Sequence, residues 1–337
     1  MSTATYQRRL ATLRRMVERR LAVAVTPGSP RDLTEACRYV LSAGGKRIRS
    51  TLLLLSCEAV GGTARQAVDA GAAIEILHNF TLVHDDIMDN AVARRGRPTV
   101  HIRWNVNNAL LTGDVLLGIA YSSLLRTRDS DIPRLCALFT QGLIEVCEGQ
   151  ALDLEFERRE NVSARDYFTM IEKKTGRLIA LAAEMGGLIG GGRPKDIGAL
   201  RSFGHYLGRA FQLQDDLLDV IADQATFGKS IGGDIVERKK TYLLLTALEQ
   251  ATKEDRLYLE TFMRKYPPGT DRTDPKARAR TITDVTAIYH KYGVIDETRS
   301  LVDRNTRKAL AALTALQHSG ATEMLARLSE ELVQRAS

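Results

Sequence analysis

Few aromatic residues and few prolines set the first limits on this chain. Phe, Trp and Tyr make up 6% of its 337 residues and proline occurs eight times. Ala, Leu, Arg and Glu are abundant instead, a mixture that favours helix over strand. Almost no stretch alternates apolar and polar residues as a half-buried strand does. The four cysteines, Cys37, Cys57, Cys136 and Cys147, never fall at C-x-x-C spacing. That argues against a zinc site or a disulfide framework and for buried thiols in a reducing compartment. No apolar run reaches the roughly 18 residues that span a bilayer. The N-terminal segment, with Arg8, Arg9, Arg14, Arg15, Arg19 and Arg20 around Leu10, Leu13 and Leu21, reads as an amphipathic helix and not as a signal peptide. A cytoplasmic location is expected.

Long blocks of one charge are also missing. Net charge is +7, yet basic residues sit among acidic ones, as in Arg158-Arg159-Glu160. This pattern describes solvated helix faces and argues against a nucleic-acid binder. Several basic residues do lie close to acidic clusters, which suits a polyanionic substrate bound with metal ions between.

Helical periodicity runs through 6–24, 31–41, 46–60, 65–90, 105–126, 131–157, 164–187, 196–224, 238–265, 278–291, 293–317 and 320–335. Gly61-Gly62, Gly190-Gly191-Gly192 and Pro267-Pro268-Gly269 break it. The three prolines in 266–277 mark the candidate mobile loop. No linker divides the chain, so the expectation is one all-α domain over 1–337.

Two motifs carry the chemistry: Asp85-Asp86-Ile87-Met88-Asp89 and Asp215-Asp216-Leu217-Leu218-Asp219. With Asp at about 6% of residues, one D-D-x-x-D arises by chance in roughly one chain in fourteen of this length, and two in roughly one in four hundred. Residues four apart share a helix face, so Asp85 and Asp89 point together, as do Asp215 and Asp219. Like charges at that spacing destabilise a helix unless a cation neutralises them. The flanks, Phe80, Leu82 and Val83 before the first motif and Phe211, Leu213, Leu217 and Leu218 around the second, are apolar. Aspartates on such helices are costly as mere structure. Their oxygens are hard ligands suited to Mg²⁺ shared with phosphates. Exposed acidic turns or helix caps are the bland alternative, but the first motif closes an apolar helix instead of opening one.

Basic pairs recur in order around these motifs. Gly44-Gly45-Lys46-Arg47-Ile48-Arg49 is expected to open a helix, with Lys46 and Arg49 on one face. Arg94-Arg95-Gly96 follows the first acidic motif. Lys174-Thr175 lies between the motifs, and Gly228-Lys229 and Lys239-Lys240-Thr241 follow the second. Taken singly each is more often a surface charge than a ligand.

Taken together, G-G-K-R-I-R at 44–49, L-H-N at 77–79, D-D-I-M-D at 85–89, R-R-G at 94–96, G-D at 113–114, K-T at 174–175, F-Q-L-Q-D-D at 211–216, G-K at 228–229 and G-D-x-x-x-x-K at 233–239 resemble the trans-polyprenyl diphosphate synthase family. The resemblance implies a single large helical bundle around a deep central cavity, found as a homodimer. It implies coupling of isopentenyl diphosphate to an allylic diphosphate with three Mg²⁺ ions. Asp85 and Asp89 are then metal ligands, Asp215 holds a third ion, and Asp86 and Asp219 complete the metal set. Arg94, Lys174, Lys229 and Lys239 face the allylic diphosphate. Lys46, Arg49, His78 and Arg95 hold isopentenyl diphosphate, and Thr175 and Gln212 sit near the reacting carbons. On its own, a histidine such as His78 on an apolar helix is more often a hydrogen-bonded core residue; its place in L-H-N, seven residues before Asp85, favours substrate contact. Phe80, five before Asp85, and Thr81, four before it, resemble the pattern of geranylgeranyl diphosphate synthases and imply a C20 product, with C15 as runner-up. A class I terpene cyclase fits less well, because the second motif is aspartate-rich. A catalytically silent partner subunit fits less well too, because both acidic sets are intact.

Overall fold

The computed structural model describes residues 1–26, 28, 30–128, 130–221, 232–265 and 275–334. Among them the chain is all-α. Sixteen α-helices form: α1 (Thr3–Ala22), α2 (Arg31–Leu41), α3 (Ile48–Ala59), α4 (Ala64–Met88), α5 (Val100–Arg103), α6 (Val106–Leu124), α7 (Ile132–Arg158), α8 (Ala164–Ile171), α9 (Arg177–Ile189), α10 (Pro194–Ile221), α11 (Gly233–Glu237), α12 (Tyr242–Gln250), α13 (Lys253–Lys265), α14 (Pro275–Lys291), α15 (Val294–Leu313) and α16 (Gly320–Val333). A π-helical turn, Glu172–Gly176, joins α8 to α9. Among the described residues, strand pairing is confined to one small antiparallel hairpin, β1 (Ala93–Arg94) with β2 (Arg97–Pro98).

The chain gathers into two compact units, each built from separated stretches. One comprises Met1–Ile144, Leu178–Gly204 and Ala311–Arg327, the other Glu145–Arg177, His205–Leu310 and Leu328–Ser337.

In the first unit, α4 is the core helix. It packs against α3, α6 and α1. Ala70, Ala72, Ala73, Ile74, Ile76 and Leu77 are all fully buried, as expected of a helix that is apolar on every side. Leu52, Leu53, Leu54 and Leu55 of α3 are buried likewise. A capping box opens α4: the Thr63 hydroxyl accepts from Gln66 N–H while the Gln66 side chain accepts from Thr63 N–H. The helix stops at the first acidic motif because Asn90 takes a left-handed conformation (φ 50°). Ala91 N–H then donates to Asp86 C=O and Asn90 N–H to Ile87 C=O, the paired bonds of a Schellman ending. Three carboxylates therefore crowd the negative end of a helix dipole.

In the second unit, Leu217, Val220, Leu243, Leu244, Leu259, Val285, Tyr289 and Val294 form a continuous apolar cluster. It fixes the stretch of α10 that carries the second motif.

The structure departs from the periodicity in four places. α3 starts at Ile48, because Gly44, Gly45 and Arg47 all have positive φ; Lys46 thus precedes the helix and shares no helical face with Arg49. The expected helix 238–265 is two helices. Arg238 is left-handed (φ 55°) and Ala251 is extended (ψ 146°), so α12 begins after Thr241 and ends before the break. The periodic stretch 164–187 contains the π-turn. Of the candidate mobile loop, 266–274 lies outside the described residues, and Pro275–Ala277 open α14. Cys37 and Cys57 are buried as expected, but Cys136 is half-buried and Cys147 exposed.

Candidate active site

The first acidic motif holds its three aspartates in different surroundings. Asp86 is buried, Asp85 is half-buried and Asp89 is exposed. Arg94, on the hairpin just after the motif, donates Nε to Asp86 at 2.5 Å. Burial raises the Asp86 pKa, and Arg94 counters that. Arg95 turns elsewhere. Its φ of 52° sends the side chain to the Gly44 carbonyl, where Nη1 donates at 2.7 Å. One bond ties the hairpin to its acidic motif, and the next residue ties it to the G-G-K-R-I-R loop.

That loop is strained at Arg47, which is left-handed (φ 49°) and 5% exposed. A non-glycine residue in this region costs about 1–3 kcal/mol unless its surroundings hold it. Here Nη2 donates to Leu41 C=O at 3.1 Å, and the Ser50 and Thr51 hydroxyls donate back to Arg47 C=O at 3.1 and 2.7 Å. Glu75, buried on α4, accepts from both Ser50 N–H and its hydroxyl and faces Arg47 at 3.7 Å. The strained turn sets the direction of Arg49 at the start of α3.

His78 lies among these cations. Burial pushes its pKa well below the ordinary value, and Arg49, Arg95, Arg94 and Arg47 push it further. Of these four guanidinium groups, Arg94 is paired with Asp86 and Arg47 faces Glu75, and the surplus of positive charge favours an anionic ligand. Burial and Arg95 likewise lower the Arg49 pKa, against the pull of Glu75. Thr81 Oγ1 donates to His78 C=O, and the buried Phe80 ring meets the His84 ring edge-on at 4.9 Å.

The second motif, in the other unit, is held by a polar chain. Tyr167 Oη donates to Asp216 Oδ2 at 2.6 Å, Gln212 Nε2 donates to Asp216 Oδ1 at 2.7 Å, and Thr175 Oγ1 donates to Gln212 Oε1 at 2.7 Å. Burial, then Asp234, raises the Asp216 pKa far above the usual carboxylate range. Asp219 accepts from Asp234 N–H at 2.9 Å, and burial and Asp234 push its pKa up to about 6. Asp215 is half-buried.

Lys174 and Thr175 stand on the π-turn, a distortion that recurs at functional sites. The turn fits because its neighbours lack side chains. A Cβ on Gly149 of α7 would lie 2.3 Å from Lys174 N, and one on Gly208 of α10 would lie 2.5 Å from Gly176 Cα. Lys174 Nζ donates to Asp153 of α7 at 2.5 Å. Lys239 is paired with Asp234 at 3.0 Å and Glu237 at 2.9 Å; burial lowers its pKa, but the two acids more than offset this and leave it raised.

Thus the first unit joins Arg49, His78, Arg94 and Arg95, and the second joins Lys174, Thr175 and Gln212 with the acidic helix. Lys46 is exposed ahead of α3, and Lys229 lies outside the described residues. Sequence reading missed Arg47, Glu75, Asp153, Tyr167, Asp216 and Asp234 as site residues. Of these, Arg47, Asp216 and Asp234 carried a signal, as unassigned members of G-G-K-R-I-R, of the second aspartate motif and of G-D-x-x-x-x-K; Glu75, Asp153 and Tyr167 carried none.

The donor set suits magnesium. Among the described residues no three acidic, histidine or cysteine side chains converge to cage an ion. Mg²⁺ is held by one or two carboxylates and completes its octahedron with phosphate oxygens and water. Aspartates at the C-terminal end of a helix attract such a cation. Asp85, Asp89 and Asp215 fit this use. Asp86 and Asp219 each commit a carboxylate oxygen to a protein donor.

Paired aspartate motifs with a cationic cluster, on an all-helical chain, define a metal-assisted enzyme acting on diphosphates. The Polyprenyl synthetase family profile matches residues 30–277. A short chain isoprenyl diphosphate synthase of Methanothermobacter thermautotrophicus is 39% identical over 321 residues, covering 95% of each chain. A geranylgeranyl pyrophosphate synthase of Geoglobus acetivorans is 35% identical, covering 95% of this chain and 96% of its own. A crystal structure of a geranylgeranyl pyrophosphate synthase superimposes with a TM-score of 0.91 at 37% identity, covering all of both chains. The chain belongs to the polyprenyl synthetase family. It is a trans-prenyltransferase, and the family works with a divalent metal. No helix among the described residues is long and apolar enough to cross a membrane.

Proposed function

We propose that this enzyme couples isopentenyl diphosphate head-to-tail with an allylic diphosphate and releases C20 geranylgeranyl diphosphate, with three Mg²⁺ ions. The observation that carries the reading is the cluster of Arg47, Arg49, Arg94 and Arg95 about His78, next to Asp85-Asp86-Ile87-Met88-Asp89.

Lys46, Arg49, His78 and Arg95 hold isopentenyl diphosphate. Arg94, Lys174, Lys229 and Lys239 receive the allylic diphosphate. Asp85, Asp89 and Asp215 hold the metal ions, while Asp86 and Asp219 orient their helices. Bound metal supplies charge stabilisation to the departing diphosphate. The protein's own cations add to this where charge develops as the allylic C–O bond breaks. Two unit charges about 4 Å apart interact by about 4 kcal/mol at an effective dielectric of 20. Thr175 and Gln212 present hydroxyl and amide dipoles near the allylic cation, and apolar walls keep water from quenching it.

Product length rests on Phe80. It is buried against His84, five residues before Asp85 and thus about 7.5 Å along the helix. The named similarity to geranylgeranyl synthases supports C20. Incubation with Mg²⁺, isopentenyl diphosphate and each allylic starter, followed by mass analysis, tests the reading. A C20 product is expected, and failure to elongate any starter would overturn it. Phe80→Ala should lengthen the product and Thr81→Phe should shorten it toward C15.

The proposal includes a homodimer in the cytoplasm. Val106, Leu110, Leu111 and Val115 leave an exposed apolar row on α6, a surface suited to a second copy.

A further inference from the structure

We propose that Tyr167 is a positioning residue for prenyl transfer: it holds Asp216 so that Asp216 fixes the Gln212 amide, and the amide in turn orients the Thr175 hydroxyl. The inference rests on the placement of Thr175 and Gln212 at the reacting carbons.

The geometry is a single chain of donors. Tyr167 Oη reaches Asp216 Oδ2 at 2.6 Å, Gln212 Nε2 reaches Asp216 Oδ1 at 2.7 Å, and Thr175 Oγ1 reaches Gln212 Oε1 at 2.7 Å. Each Asp216 oxygen is taken by one donor, Oδ2 by the Tyr167 hydroxyl and Oδ1 by the Gln212 NH₂, so the amide turns its NH₂ toward Asp216. The amide oxygen is thereby left toward Thr175, whose hydroxyl proton is used in that bond. The hydroxyl keeps its lone pairs, and the amide oxygen keeps one of its two. Both are negative dipole ends of the kind that stabilises a nearby carbocation.

Direction along this chain is set at its far end. Tyr167 is 1% exposed and Asp216 4% exposed, so solvent cannot replace the phenol. The ring is itself held, edge-on to Phe168 at 5.5 Å and tilted over Tyr242 at 6.2 Å. It stands on α8, whose start is locked by the Ser163–Asp166 capping box and which runs directly into the π-turn carrying Thr175. Three separate elements, α8, the π-turn and α10, therefore meet through one buried carboxylate. Gly208 against Gly176 lets α10 and the turn approach closely enough to complete it.

The test uses the full-length enzyme. Tyr167→Phe removes one hydroxyl and keeps the ring. It should lower kcat about tenfold, less than the roughly hundredfold that a full ångström of misplacement costs, while both substrate KM values stay within about twofold, because no diphosphate contact changes. Asp216→Asn should do at least as much, since its carboxamide offers one acceptor oxygen where Tyr167 and Gln212 each donate to a separate one. The double variant Tyr167→Phe/Gln212→Leu should be no slower than Gln212→Leu alone, the signature of residues acting in one network. In enzyme labelled with [¹⁵N]glutamine, the Gln212 side-chain amide resonances should shift in Tyr167→Phe without substrate. If Gln212→Leu slows turnover but Tyr167→Phe does not, or if the two losses multiply, the relay is overturned. If Gln212→Leu leaves kcat intact while the enzyme still couples diphosphates, the placement of Gln212 fails and the relay with it, though prenyl transfer stands. Should Tyr167→Phe not accumulate folded, Asp216→Asn and its amide spectrum decide the matter in the same way.

Discussion

Lys174 Nζ meets the Asp153 carboxylate at 2.5 Å, so a cation assigned to the allylic diphosphate is already paired with an acid on α7. Diphosphate binding must loosen that pair. Asp153→Asn should therefore tighten inhibition by inorganic pyrophosphate several-fold and slow product release. Ki and kcat measured together check this, and an unchanged Ki would show that Lys174 does not exchange partners.

The aspartates divide by burial. Asp85→Ala, Asp89→Ala and Asp215→Ala should each lower kcat by about two orders of magnitude or more, the scale of losing an electrostatic stabiliser from a reaction centre. Their thermal midpoints should stay near wild type, because these side chains are exposed or half-buried. Asp86→Ala should also destabilise the fold, since it leaves Arg94 without its partner. Thermal melts alongside steady-state rates separate the two classes.

Arg94 and Arg95 are adjacent in sequence but bonded apart, one to Asp86 and the other to Gly44. Arg95→Ala should mainly raise KM for isopentenyl diphosphate, and Arg94→Ala should mainly impair the allylic substrate. Equal effects on both KM values would contradict the division.

His78 gives the enzyme an acid-sensitive element. Its folded pKa lies well below the unfolded value near 6.5, owing to burial and then to Arg49, Arg95, Arg94 and Arg47. The unfolded chain thus binds a proton that the folded chain refuses. The contribution is fully present above the unfolded pKa and is lost as pH falls through 6.5 toward the lower folded value. The slope is at most about 1.4 kcal/mol per pH unit. Denaturant melts at pH 7.5 and 5.5 should show a larger loss for the wild type than for His78→Gln. A bound pyrophosphate should raise the His78 pKa, read from its imidazole NMR signals, because the anion offsets the four cations.

Helices were legible wherever periodicity ran unbroken, as in α4 and α10, because side chains three and four apart report one face directly. The break at Ala251 was not, since an extended alanine has no local signature. Arg47 shows the same gap: the sequence K-R-I-R suits a helix, and only the fixed φ values of Gly44, Gly45 and Arg47 delay its start.

The sequence by itself determined the all-helical class, the paired aspartate motifs, the spacing of Asp85 from Asp89 and the order of basic residues that marks the family. These are properties of composition and of short intervals along the chain. Tertiary structure decided which aspartate of each motif turns inward. Asp86 meets Arg94, and Asp216 meets Tyr167 from 49 positions away. It also decided that Lys174 faces Asp153, 21 residues earlier, and that glycines at 149 and 208 make room for the π-turn. Such pairings depend on how buried helices cross. A buried polar group must find a partner wherever packing places one, and no interval in the sequence records that distance.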